Sequence, residues 1–265
     1  MHFNFGFSAR QILWTLTFAS QLVLMVVLLG RDRARRYPWF TTSIMLLALQ
    51  LMSEVLLAGR MAMLPYQEIM LSLGDLLAII ALLVVVEIAW QAFAHAPRAH
   101  WIANSAWLIL AAGCLMAVWG PWPAPKDLAL DTLLGKLKLM QLAALKINML
   151  AYLLMIGVGI LVVLFGRHYK AGWRSHTQMI AIGLSTAAIA WLAIQGTVQL
   201  IARTAHPQSQ AEYQHLIGLV NKLVNANQAV YLAALLWWIV WLWLDEPGAK
   251  ALEPTADTTG ENPAS

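Results

Sequence analysis

Seven apolar stretches, each about twenty residues long, take up most of this 265-residue chain. At a rise of 1.5 Å per residue, about twenty helical residues cross a hydrocarbon core about 30 Å thick. The sequence therefore predicts an all-α, polytopic membrane protein with seven transmembrane helices. The predicted spans cover residues 11–30, 38–60, 70–93, 101–119, 142–166, 177–200 and 222–244.

Composition agrees with this fold class. Hydrophobic residues make up 60% of the chain and charged residues 11%, whereas soluble domains average about 45–50% and about 25%. None of the seven stretches has the charged face that the outer helices of a soluble bundle need. The formal net charge of +4 suits an anionic membrane surface, so we expect the lipid bilayer as a partner and no nucleic acid. The single cysteine, Cys114, excludes an intrachain disulfide.

The arginines after the first span indicate the orientation. Arg31, Arg33, Arg35 and Arg36 fall within six residues, and short basic loops stay on the cytoplasmic side. With seven spans, the amino terminus is then outside and the carboxyl terminus cytoplasmic. An aromatic belt is predicted at the cytoplasmic interface. Its tryptophans are Trp39, Trp90, Trp101, Trp173, Trp237, Trp238, Trp241 and Trp243.

The chain divides into a transmembrane domain, residues 1–244, and a tail, residues 245–265. The tail is rich in Pro, Thr, Gly and acidic residues, which predicts a disordered cytoplasmic extension. Two outer connections carry helix-start signals. Asp127 is placed to cap a helix that begins at Leu128 and leads into span five, and Ser209 with Glu212 has capping-box spacing, which predicts a helix over about 210–244.

Polar residues in five spans share one depth. Counted from the predicted cytoplasmic ends at 1.5 Å per residue, they lie about 24 to 30 Å away, near the outer surface. We predict that they ring an outward-open polar pocket; the alternative is a packing network with ordinary interfacial charges. The predicted ligand-binding residues are Glu54, Asp75, Lys146, Asn148, Gln195, Asn225 and Gln228. Glu87, near the other end, is expected to pair with Arg98 or the basic loops.

No catalytic pattern is present. The sequence has neither an H-E-x-x-H helix nor a G-x-S-x-G elbow. Its histidines lie at termini, loops and span edges, where they are poorly placed to ligate a transmembrane haem. We therefore predict no catalytic residues, no metal site and no cofactor, and expect the protein not to be an enzyme.

A short internal similarity leaves a duplication open. Residues 26–31 end the first span and residues 162–167 end the fifth with closely similar sequences, VVLLGR and VVLFGR. Both spans run in the same direction, so two three-span repeats joined by a linking span are geometrically allowed. An apolar run followed by a basic residue also produces such matches by chance.

Three short motifs resemble those of a group of uncharacterised seven-span integral membrane proteins from soil bacteria. The motifs are Arg36-Tyr37-Pro38-Trp39-Phe40, Gly172-Trp173-Arg174-Ser175-His176 and Leu244-Asp245-Glu246-Pro247. The resemblance implies a bacterial cytoplasmic membrane. That group has no activity that we can name, so no catalytic residues carry over.

Three functions remain open from the sequence. We expect a non-enzymatic sensor or signalling component that binds a small polar ligand from outside and contacts a cytoplasmic or membrane protein partner. A transporter for a small polar solute is the first alternative, favoured if the duplication is real. The second is a structural subunit of a larger membrane complex.

Overall fold

The computed structural model describes residues 9–57, 59–93, 98–118, 132–165, 175–205 and 209–245. Within these ranges the chain forms eight helices and no strands. The helices are α1 (Ala9–Gly30), α2 (Arg33–Arg36), α3 (Pro38–Leu57), α4 (Met63–Phe93), α5 (Arg98–Val118), α6 (Leu133–Phe165), α7 (His176–Thr204) and α8 (Gln210–Trp243). Six of them, all but α2 and α5, are long and apolar enough to cross a bilayer, as expected of a multi-pass membrane protein.

The predicted spans match these helices, with differences at the ends. α5 coincides with predicted span four, but the described apolar part, Trp107–Met116, is shorter than a span, so the seventh crossing stays a prediction. α4 begins at Met63 rather than residue 70, because Pro65 lies in its first turn, where no intrahelical N–H bond is lost. α6 begins at Leu133; Asp127, Leu128 and the tail after Asp245 lie outside the described residues.

The start of α8 confirms its capping prediction. The Ser209 hydroxyl oxygen accepts a hydrogen bond from the Glu212 backbone N–H at 3.2 Å. This bond satisfies one of the free donors at the helix start. The helix then runs without a break to Trp243, close to the range that the sequence predicts.

The six long helices pack in a cyclic order. α1 contacts α3, α3 contacts α4, α4 contacts α6, α6 contacts α7, α7 contacts α8, and α8 returns to α1. α4 also touches α7 across the ring. α5 packs on α6, outside this ring.

One end of the bundle is packed more tightly than the other. We call it the basic end, because it carries Arg31, Arg33, Arg35 and Arg36; α3 and α7 begin there, and α4 and α8 end there. The buried residues of these four helices lie in the half nearest that end, or at the midpoint of the helix. They fall within 40–48 of α3, 78–93 of α4, 176–188 of α7 and 234–242 of α8.

Contacts between helix ends hold the basic end together. The Arg31 guanidinium lies 3.2 Å from an Asp245 carboxylate oxygen and 5.0 Å from the centroid of the Trp243 ring. The His176 Nε2 atom lies 2.9 Å from the Leu244 carbonyl oxygen. Exposed ion pairs contribute little individually, but these three contacts join the ends of α1, α7 and α8.

A buried indole fixes the approach of α8 to α7 and α3. Trp238 is only 1% exposed, so its placement in the aromatic belt was wrong. Consecutive helix positions differ by about 100° in direction, so Trp238 faces the core while Trp237 is 39% exposed. The Trp238 ring meets Phe40 edge-on, with centroids 5.1 Å apart, and its indole nitrogen lies against the bare Cα of Gly183.

We therefore expect Gly183→Ala to destabilise the protein. A Cβ atom at position 183 would collide with the Trp238 indole, and overpacking of a core typically costs about 1–3 kcal/mol. The measurement is the thermal midpoint in detergent. Gly74→Ala is the matched control, since a Cβ there meets nothing within 4 Å. Equal midpoints for the two variants would contradict this account of the α7–α8 contact.

Candidate functional site

A cavity of about 240 Å³ lies in the middle of the bundle. Five helices, α3, α4, α6, α7 and α8, contribute to its wall. The lining residues are Ser43, Leu47, Leu77, Ala81, Val84, Asn148, Ala151, Tyr152, Met155, Leu184, Ala187, Trp191, Asn227, Tyr231 and Trp238.

Aromatic rings form much of the cavity wall. Tyr152 and Trp191 pack against each other with centroids 4.6 Å apart and planes tilted by 55°. Tyr231 contributes a third ring, and its hydroxyl oxygen lies 3.3 Å from the amide nitrogen of Gln21 on α1. Trp238 adds a fourth ring, on the side of the basic end. The cavity therefore offers apolar surface with defined ring faces and edges.

The polar groups on the wall are uncharged. Asn148 and Asn227 are half-buried, and neither amide has a hydrogen-bond partner in the part of the chain that the structure describes. Ser43 already donates to the Phe40 carbonyl oxygen at 2.7 Å. No Asp, Glu, Lys, Arg or His is among the described residues that line the cavity. The two amides are thus available to hydrogen-bond a guest.

Of the predicted ligand-binding residues, only Asn148 lines the central cavity. Lys146 and Gln195 line a separate crevice of about 10 Å³ between α6 and α7. The other four line neither space. These are Glu54, Asp75, Asn225 and Gln228, all half-buried.

Two charged residues of the predicted set have distinct surroundings. Lys146 is 7% exposed, and its ammonium group donates to the Met116 carbonyl oxygen of α5 at 3.4 Å. It therefore links α6 to the peripheral helix. The Asp75 Oδ1 atom is buried and finds no hydrogen-bond partner among the described residues. A ligand-binding role for either residue stays a prediction.

Sequence reasoning missed most of the cavity residues. Asn227 lines the cavity, whereas the predicted positions 225 and 228 do not. Tyr231 and Trp238 continue the same face of α8, at spacings of four and seven residues. This aromatic and amide stripe was the available signal. It was hidden because the tryptophans near the end of α8 all resemble an interfacial belt.

Glu87 lies in the half of α4 nearest the basic end and caps α3. Its two carboxylate oxygens accept the backbone N–H groups of Trp39 at 3.1 Å and Phe40 at 2.9 Å. The first helical residue, Pro38, has no N–H to satisfy. The expected partner of Glu87 was Arg98 or a basic loop; instead the carboxylate satisfies free donors at a helix start. The Arg98 side chain lies outside the described residues.

A second set of hydrogen bonds reaches the arginine segment, residues 31–36. The Tyr37 and Thr177 hydroxyls lie 2.8 Å apart in the core. Thr177 also lies 3.5 Å from the Gln91 side-chain oxygen. The Gln91 amide nitrogen donates to the Arg36 carbonyl oxygen. These contacts tie the end of α2 to α4 and α7.

The described wall of the cavity combines aromatic rings with two side-chain amides. Within the described ranges, no group of three or more His, Cys, Asp and Glu side chains is placed to hold a metal ion. No family model, curated protein or solved structure matches the chain. The site must therefore be interpreted from its own geometry.

We expect Glu87→Ala to destabilise the protein, because the buried N–H of Phe40 and the part-buried N–H of Trp39 would lose their acceptor. Buried unsatisfied donors typically cost about 1–3 kcal/mol each. Glu87→Gln keeps one acceptor oxygen, so its stability should lie between those of the unmodified protein and of the Glu87→Ala variant. The measurements are the thermal midpoint and hydrogen exchange at the Trp39 and Phe40 amides. Glu68→Ala, on the exposed face of α4, is the control, and a Glu87→Ala variant as stable as this control would refute the capping role.

Proposed function

We propose that this protein is a non-enzymatic sensor or signalling component of a bacterial cytoplasmic membrane, and that its central cavity binds a small ligand. The observation that carries the proposal is the uncharged, aromatic cavity of about 240 Å³. Its wall is joined through packed side chains to the arginine segment. We infer seven crossings, with α5 as the fourth, an outer amino terminus and a cytoplasmic basic end.

The contacts below the cavity supply a route for a signal. Trp238 borders the cavity and rests edge-on against Phe40. The Phe40 N–H is held by Glu87 on α4. Phe40 lies in the first turn of α3, four residues after Arg36. A guest that moves the Trp238 ring would therefore act on the start of α3 and on the arginine segment.

The first test needs no ligand. Ala187→Phe places a ring in the cavity and should shift the spectrum of an environment-sensitive fluorophore on the arginine segment. The fluorophore is attached to Arg35→Cys in a Cys114→Ser background; Arg35 is 87% exposed and Cys114 is an exposed thiol. Ala193→Phe, on the exposed face of the same helix, should leave the spectrum unchanged. Adding Trp238→Leu should abolish the shift.

Two results would overturn the proposal. One is an identical spectrum for the Ala187→Phe and Ala193→Phe proteins when both are folded. The other concerns orientation: a membrane-impermeant maleimide should modify the cysteine at position 35 only after the cells are opened. Labelling in intact cells would place the basic end outside.

A transporter for a small polar solute is the second candidate, and the helix order favours it. α1, α3 and α4 are followed around the ring by α6, α7 and α8, with α5 outside. Two parallel three-helix repeats, related by an axis along the membrane normal, would produce this order. The similarity between residues 26–31 and 162–167 fits the same relation.

Flux measurements separate the two candidates. For the sensor we expect proteoliposomes to pass radiolabelled amino acids and sugars no faster than protein-free liposomes. For a transporter, a solute would accumulate, and Glu54→Gln or Asp75→Asn should abolish its uptake. Uptake that depends on these carboxylates would overturn the sensor proposal in favour of a transporter.

A further inference from the structure

We propose that the ligand of the central cavity is a neutral, amphipathic aromatic molecule of one or two rings. The hydrogen-bonding group of this molecule would be held by Asn148 and Asn227. This inference rests on the proposed function, because it assigns a chemical class to the ligand of the same cavity.

The cavity volume limits the size of the ligand. An apolar protein cavity of about 150 Å³ accepts benzene. The central cavity measures about 240 Å³, which leaves space for a second ring or for a short substituent. Small ligands of this kind gain most of their affinity from the apolar surface that they bury.

The wall favours a flat aromatic guest. Four rings, those of Tyr152, Trp191, Tyr231 and Trp238, face one space. Aromatic pairs prefer offset or edge-on contacts, which contribute about 0.5–1.5 kcal/mol beyond the burial of area. The Tyr152–Trp191 pair is already tilted by 55°, so it presents both a face and an edge. A saturated molecule of equal size would fill the volume without these contacts.

The two amides lie toward one end of the cavity. Counted at 1.5 Å per residue from the helix ends at the basic end, Asn148 and Asn227 are about 24 to 26 Å away. Trp238 and Ser43 are about 8 Å away on the same scale. The guest would therefore place its ring toward Trp238 and its hydroxyl or N–H group toward the amides. An amide side chain both donates and accepts, so it suits either group.

The absence of charge from the described wall argues for a neutral guest. An ion that enters a low-dielectric space without a partner pays a large desolvation penalty. Of the groups on the described wall, only the aromatic rings attract a cation, through their quadrupole. The neighbouring carboxylate of Asp75 does not line the cavity. The nearby ammonium of Lys146 lies in the separate crevice. The described wall therefore offers a counter-ion neither to a cation nor to an anion.

The experiment compares probes that differ in one property. The full-length protein in lipid nanodiscs is equilibrated with 2-naphthol, its saturated counterpart decahydro-2-naphthol, the anion 2-naphthoate and the cation choline. Empty nanodiscs of the same lipid correct for partitioning. Binding is measured by equilibrium dialysis, and the thermal midpoint is recorded in parallel. We expect 2-naphthol to bind at least about tenfold more tightly than the other three, the ratio that corresponds to one ring contact of about 1.4 kcal/mol.

Variants locate the binding. Ala187→Phe fills the cavity from α7, and Ala81→Phe fills it from α4 if the first variant does not fold; either should abolish binding. Ala193→Phe, on the exposed face of α7, should bind like the unmodified protein. Asn148→Leu and Asn227→Leu should each weaken the binding of 2-naphthol by about fivefold to tenfold. The binding of naphthalene should change little, because it has no hydroxyl group to lose a partner.

Each other outcome overturns a definite statement. Equal binding of the aromatic and the saturated alcohol would overturn the aromatic class. If naphthoate or choline bound most tightly, and this binding were lost in the filled variants, the ligand would not be neutral but would still bind in the cavity. Binding unaffected by the filled variants, or no binding of any probe to folded protein, would overturn the whole ligand assignment. The fluorophore result at position 35 would still decide the sensor proposal, because that experiment uses no ligand.

Discussion

The packing of Trp238 connects the fold of this protein to its site. The indole ring lies against Gly183 of α7, meets Phe40 of α3 edge-on and borders the central cavity. A smaller residue at position 238 would open the cavity toward the basic end, and a larger residue at position 183 would push α8 away. Because Phe40 is also held by Glu87, the same contact extends to α4. Four helices thus depend on one well-packed ring.

The two halves of the bundle differ because different forces act in them. Lipid tails are as apolar as the helix surfaces, so apolar area alone gives little reason for helices to associate in a membrane. Hydrogen bonds and close packing must supply the driving force for association. In the described residues these are concentrated at the basic end, in the Glu87 cap, the Tyr37–Thr177 pair and the Arg31–Asp245 contact. Among the described residues, the opposite halves of α3, α4, α7 and α8 have fewer buried side chains.

Much of the architecture follows from the sequence, but the site largely does not. The presence of long apolar helices could be predicted, because a bilayer requires about twenty apolar residues per crossing; six of the seven predicted spans correspond to such helices, and the seventh crossing stays a prediction. The α8 start could be predicted, because Ser209 supplies a local cap. The direction in which each side chain points could not. A helix that faces lipid on one side and an apolar core on the other has no amphipathic pattern that reveals its inner face.

Positions 225, 227 and 228 illustrate the limit. All three are amides at nearly the same depth, so counting along the helix cannot separate them. Their directions differ by about 100° per residue, and only Asn227 points into the cavity. The predicted polar layer described the depth of these residues in the membrane, whereas binding depends on the direction in which each side chain points. This distinction also changes the expected ligand, because the side chains at that depth that reach the described cavity wall, Asn148 and Asn227, are uncharged. The aromatic residues that complete the wall lie deeper, where a sequence pattern of polar residues gives no signal.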